Sequence, residues 1–126
     1  MSNQTPSISE AEWEVMKVLW KKGPQTANQV ISAIQEQTDW KPKTIRTLLD
    51  RLTKKKVVGV DKEQKIYVFF PLYSEEECKH AEAQSFVKRV YGGTVKPLLV
   101  QFLEEESLTK EELDELYAIL EQKRKE

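Results

Sequence analysis

Apolar residues recur along the chain with the period of amphipathic helices, interrupted once by a stretch with the alternation of strands. Ser9 and Glu12 have the S-x-x-E spacing of a capping box, and Trp13, Met16 and Trp20 follow at helical spacing. This predicts a first helix that stops before Gly23-Pro24, a strong breaker pair. Thr26 and Gln29 repeat the capping signal, and Ala27, Val30, Ile31 and Ile34 trace one face of a second helix. Gln37 to Lys41 reads as a short turn. Pro42 suits the first position of a third helix, where its missing N–H would have no partner anyway. Ile45, Leu48, Leu49 and Leu52 give that helix its apolar stripe.

The period then changes. Val57, Val58 and Val60 form a short β-branched run, and Ile66, Tyr67, Val68, Phe69 and Phe70 form a longer one ended by Pro71. The polar segment Asp61 to Lys65 closes the two into an antiparallel hairpin. Three helices followed by a hairpin is the layout of a winged helix-turn-helix domain, with helices two and three as the pair and the hairpin as the wing.

From residue 74 the pattern is helical again. Ser74 with Glu77 caps a fourth helix bearing Ala83, Phe86, Val87 and Val90, which Gly92-Gly93 ends. Val95, Leu98, Leu99 and Phe102 mark a fifth helix, followed by the acidic turn Glu104-Glu105-Glu106. Thr109 and Glu112 cap a last helix with Leu113, Leu116, Tyr117 and Leu120. Three helices over about 50 residues enclose too little core to stand alone. Their apolar faces call for a partner, either the same segment of a second copy or the first domain itself. The first option makes 74–126 a helical dimerisation domain behind a DNA-binding domain at 1–73. The expected fold class is mostly α with a small antiparallel hairpin.

Composition narrows the chemistry. Of 126 residues, 39% are apolar and 33% charged, the balance of a core-forming protein that is not disordered. No apolar run approaches the ~18 residues of a membrane span, and the N-terminus lacks a signal-peptide pattern, so a cytoplasmic location is expected. A single cysteine, Cys78, excludes an internal disulfide framework and any multi-thiolate metal site. Cys78 and the only histidine, His80, stand two apart, a spacing that does not share a helix face, so neither a Cys-His nucleophile nor an intramolecular zinc site is expected. The common nucleotide-binding loops are missing, and no cofactor or enzymatic activity is expected. The acidic start of the fourth helix, Glu75-Glu76-Glu77, is accounted for by the helix dipole.

Charge is what points to a partner. The net charge of −1 conceals +4 over residues 1–71 and −5 over residues 72–126. Between 41 and 56, Lys41, Lys43, Arg46, Arg51, Lys54, Lys55 and Lys56 face one acid, Asp50. With the apolar stripe buried, Lys43, Thr44, Arg46, Thr47, Asp50 and Arg51 occupy the outer face of the third helix. Arg and Lys pair with guanine, and threonine offers a hydroxyl and a methyl to base edges. Residues near the start of such a helix reach the bases, so Lys43, Thr44, Arg46 and Thr47 are the candidates for readout. Arg51, Lys54 and Lys55 suit phosphates, and Lys62 and Lys65 place positive charge on the wing. Each alone reads as an ordinary surface residue; as a set they favour double-stranded DNA. A winged helix that binds protein is the competing class, and it would leave the basic excess without a purpose.

The run Ala11-Glu12-Trp13-Glu14-Val15-Met16, the segment Lys43 to Leu48 with Arg51-Leu52 and Lys54-Lys55, Ile66-Tyr67, Phe86, Tyr91-Gly92-Gly93 and Glu111 to Leu120 together resemble the BlaI/MecI family of β-lactamase and methicillin-resistance repressors. The resemblance runs in order along nearly the whole chain. It implies a homodimeric repressor on a palindromic operator, with Lys43, Thr44, Arg46, Thr47 and Arg51 facing DNA. It also implies induction by a membrane-bound β-lactam-sensing metalloprotease that cuts the dimerisation region. The family's cleaved Asn-Phe bond corresponds to Gln101-Phe102, where Gln replaces Asn. Two other departures are Lys41, where serine is usual before Pro42, and Lys56, where glycine is common after the third helix. The cysteine cluster of the copper-responsive CopY branch is missing, which points away from copper sensing. A family repressor of another regulon remains open on the residues alone.

Overall fold

The computed structural model describes residues 5–105 and 107–126. Helix α1, Glu10–Lys22, begins at Ser9 with the expected reciprocal cap. Ser9 Oγ accepts from Glu12 N–H at 3.1 Å, and Glu12 Oε1 accepts from Ser9 N–H at 2.9 Å. The helix ends at Gly23, whose φ of 81° lies in the left-handed half of the map that glycine tolerates. Helix α2, Ala27–Gln35, has the same box built from Thr26 and Gln29. Helix α3, Pro42–Lys54, starts from Lys41 without a side-chain cap, as the replacement of serine implies.

The sheet has three strands, one more than the hairpin expected. Strand β1 is Gln25–Thr26, β2 is Val58–Asp61 and β3 is Val68–Pro71, in the order β1-β3-β2 and antiparallel throughout. The expected second strand was longer, from Ile66 to Phe70. Pairing begins only where Asp61 faces Val68, so Ile66 and Tyr67 have no strand partner and lie exposed in the turn. Gln25 is buried because its side-chain amide donates to the carbonyls of Val18 and Gly23, which satisfies a polar group inside the core.

The core gathers Val15, Met16 and Leu19 of α1, Val30, Ile31 and Ile34 of α2, and Ile45, Leu48, Leu49 and Leu52 of α3, closed by Val57 and Val58. Each fully buried side chain of this size stabilises the fold by roughly 1.5–3 kcal/mol. Trp13 and Trp20 sit at its edge, edge-to-face at 5.4 Å, and Trp20 Nε1–H donates to the Tyr73 carbonyl at 2.9 Å. The stripe Ile45, Leu48, Leu49 and Leu52 holds α3 in place and leaves its opposite face outward.

The chain divides into two compact units, one ending at Ala83 and one running from Gln84 to Glu126. The division falls inside α4, Glu75–Tyr91, because Cys78 in its first turns is buried in the core of the first unit. The second unit comprises the rest of α4, α5 (Lys96–Glu105) and α6 (Lys110–Arg124). Gly92 and Gly93, both at positive φ, end α4, and Thr109 with Glu112 caps α6. Neither α5 nor α6 buries a side chain. Phe102, Leu103, Leu116, Ile119 and Leu120 are all exposed in the single chain. No described helix is long and apolar enough to cross a membrane.

Candidate nucleic-acid interface

Helix α3 is two-sided. Ile45, Leu48, Leu49 and Leu52 are at most 4% exposed, while Lys43, Thr44, Arg46, Thr47, Asp50, Arg51 and Lys54 are all exposed. The 3.6-residue period, anchored on four buried positions, therefore turns every candidate readout residue outward. Thr47 Oγ1–H donates to the Lys43 carbonyl at 3.0 Å, which leaves its methyl and oxygen lone pairs facing outward. Arg46 Nη2 donates to Asn28 Oδ1 at 3.2 Å, so a residue near the start of α2 steadies the guanidinium.

The wing lies beside this face. Arg46, Lys65, Ile66 and Tyr67 line one groove of about 340 Å³ together with Thr26 and Asn28. Lys62 Nζ stands 5.6 Å from the Tyr67 ring centroid, a cation–π approach at the exposed tip. The structure thus brings Lys65 to Arg46 and to the N-terminus of α2, which sequence reasoning had kept on separate elements. Asn28 was missed by that reasoning. Its signal was its position just inside a helix start, two residues after the Thr26 cap.

Lys55 is placed differently from its neighbours. Its ammonium donates to Glu12 Oε1 and, at 2.9 Å, to the Ser7 carbonyl. Glu12 is 1% exposed. Burial pushes its carboxyl up, but hydrogen bonds from Lys55 and Ser9 and the Lys55 charge outweigh this and hold it below the ordinary carboxylate value. Lys56, the next residue, adopts φ 64°. Its N–H bonds to the Thr53 carbonyl and that of Val57 to Leu52, the paired bonds of a Schellman cap.

Gln101 and Phe102 lie within α5, both exposed, and Gln101 Oε1 accepts from the Tyr91 hydroxyl at 2.8 Å. Cys78 is buried, its thiol pushed up to about 11 by burial with a smaller contribution from Glu77. His80 is exposed. Among the described residues no group of three or more His, Cys, Asp or Glu side chains is placed to hold a metal ion.

A helix pair packed on a third helix, a three-stranded antiparallel sheet whose β2–β3 turn carries Lys62 and Lys65, and an outward polar face on α3 define a winged helix-turn-helix DNA-binding protein. Residues 8–122 match the protein family described as Penicillinase repressor. The methicillin resistance regulatory protein MecI of Mammaliicoccus sciuri is 43% identical over 123 residues, 98% of this chain and 100% of that protein. The penicillinase repressor of Bacillus licheniformis is 42% identical over 117 residues, 93% of this chain and 91% of that protein. Among solved structures, the Bacillus licheniformis BlaI monomeric form in complex with the blaP half-operator is 42% identical. It aligns with a TM-score of 0.52, covering 58% of this chain and 89% of that one. The chain belongs to the penicillinase repressor family. As a member of a family of DNA-binding repressors it is not an enzyme.

Proposed function

We propose that the chain is a homodimeric repressor that binds a palindromic operator of a β-lactamase or penicillin-binding-protein gene. The observation that carries this reading is the exposed Lys43, Thr44, Arg46 and Thr47 face, held out from four buried aliphatic residues of the same helix. In this account α3 enters the major groove, and those four residues read base edges. Arg51 and Lys54 grip phosphates, and Lys62 and Lys65 hold the neighbouring backbone from the wing. The organisation is a DNA-binding domain at 1–73 followed by a dimerisation domain at 74–126, whose first turns, through Cys78, are anchored in the core of the first unit, and the site of action is the cytoplasm.

Dimerisation is supported by the apolar residues that α5 and α6 leave exposed. Phe102 of α5 and Leu116, Ile119 and Leu120 of α6 are covered in this account by the same segment of a second copy, a self-complementary arrangement that mirrors a palindrome. The half-sites then lie about one helical turn, roughly 10 bp, apart or a multiple of it. Release follows when a membrane-bound β-lactam-sensing metalloprotease cuts Gln101-Phe102. That bond lies inside α5, so cleavage requires the helix to unwind locally, and the ten-residue α5 is short enough to do so at small cost. The cut detaches α6 from the DNA-binding unit, removes the second half-site and lowers operator affinity.

The test is selection of genomic fragments by the purified protein at two salt concentrations, with Arg46→Ala alongside. Enrichment of one palindrome beside such a gene, lost in the variant and weakened by salt, is expected. A palindrome elsewhere keeps the repressor and changes the regulon. Binding without sequence selection contradicts the reading.

A further inference from the structure

Three consecutive lysines end α3, and the structure gives them three different environments. Lys54 is exposed, Lys56 holds the left-handed turn, and Lys55 is drawn against Glu12. We infer that Lys55 acts in DNA binding as a positioning residue, a strut that fixes the recognition helix on α1 through the buried Glu12 carboxylate, and not as a phosphate contact. The inference rests on the DNA-binding reading above and assigns Lys55 a role other than the one its charge suggests.

The geometry is that of a joint. Glu12 is the third residue of α1 and closes its capping box, so its carboxylate is already tied to the Ser9 amide. The Lys55 ammonium adds the end of α3 to that oxygen and reaches the Ser7 carbonyl ahead of α1. Three segments therefore meet at one cation. With Glu12 1% exposed, withdrawal of Lys55 toward a phosphate would leave a buried carboxylate without its counter-charge, which is strongly destabilising. The backbone beside Lys55 is equally committed: its N–H bonds to the Arg51 carbonyl, and the Schellman bonds of Lys56 and Val57 follow at once.

The lever is long. Lys43 and Lys55 are twelve residues apart, about 18 Å along a helix, so a tilt of about 5° at the strut moves the reading end by about 1.5 Å. Base-edge hydrogen bonds do not survive a displacement of that size. Losing the strut thus weakens DNA binding without removing a charge from the interface.

The experiment compares Lys55→Met, Lys55→Arg, Glu12→Gln and Lys54→Met in the full-length protein. Operator affinity is measured against salt, and urea midpoints are measured in parallel. Lys55→Met and Glu12→Gln are expected to weaken operator binding several-fold and to a similar degree while leaving the salt slope unchanged. Lys55→Arg, which restores the ion pair, recovers affinity. Lys54→Met reduces the slope by about 0.9, the signature of one lost phosphate contact. A drop of that size in the slope for Lys55→Met overturns the inference. So does a gain of affinity in Glu12→Gln, because it would mean that freeing the lysine helps it reach DNA. Unchanged affinity in both variants, with only the urea midpoints lowered, assigns the pair to stability alone and also overturns it. If the wild type itself shows no operator binding, the functional reading fails. The urea midpoints of Glu12→Gln, Lys55→Met and their combination then still report the joint: coupled losses support it and additive losses reject it.

Discussion

Replacing Lys56 by glycine should stabilise the protein, and the size of the gain follows from one dihedral angle. Lys56 occupies the C′ position of α3 at φ 64°, where its Cβ crowds the following carbonyl. A non-glycine residue there costs about 1–2 kcal/mol. Glycine removes that cost but loses roughly 0.5–1 kcal/mol through its freer unfolded state. The Schellman bonds from Lys56 to Thr53 and from Val57 to Leu52 need only backbone atoms and persist in the variant. Leu52 and Val57, both fully buried, keep the accompanying apolar contact. The net expectation is a gain of about 0.5–1 kcal/mol, or a rise of about 2–6 °C in midpoint for a domain of this size. Thermal unfolding at fixed protein concentration reads it, since dimerisation would otherwise move the midpoint. Lys56→Ala is the control, because alanine deletes the charge and keeps the strain. A rise in Lys56→Gly not seen in Lys56→Ala supports the reasoning. Equal rises in both would place the effect in the charge of the lysine run, and no rise in glycine would refute the strain.

Four further outcomes follow from the buried groups and the apolar face. Glu12 has a folded pKa below its unfolded one, so its contribution is complete above the ordinary carboxylate value and is lost as pH falls through the lowered value. Wild-type urea midpoints should therefore fall more steeply than those of Glu12→Gln as pH is lowered from neutral through the ordinary carboxylate range; parallel curves would contradict this. Cys78, buried and with its thiol raised to about 11, should resist a thiol reagent at mildly alkaline pH until urea opens the core. Cys78→Ser should cost roughly 1–3 kcal/mol for burying a hydroxyl in that core, read from urea midpoints. Ile119→Asp, which adds a charge to the exposed α6 face, should shift sedimentation toward the monomer while leaving the helical signal intact.

Helices α1, α2 and α6 were legible in the sequence because each carries a reciprocal cap, Ser9 with Glu12, Thr26 with Gln29 and Thr109 with Glu112, ahead of its apolar stripe. The outward face of α3 was equally legible, since four aliphatic positions fix its orientation. Strand β1 was not: two residues have no periodicity, and Gln25 and Thr26 become a strand only by pairing with Phe69 and Val68 far along the chain. Ile66 and Tyr67 have strand-forming side chains, yet pairing with β2 stops at Asp61, so they project from the wing. The lysine run shows the limit most plainly. Lys54, Lys55 and Lys56 are chemically identical, and only the turn of the chain and the buried Glu12 separate a surface cation from a paired one and from a strained one.

The central claim is that two copies of this chain place two α3 faces on one palindrome. Sedimentation of the protein with a full operator and with its half-site, on the fragment recovered from genomic selection, tests it most directly. The account predicts two chains on the full site, binding much tighter than on the half-site, and loss of both complexes in Arg46→Ala. One chain per full operator, with equal affinity for the half-site, would contradict it.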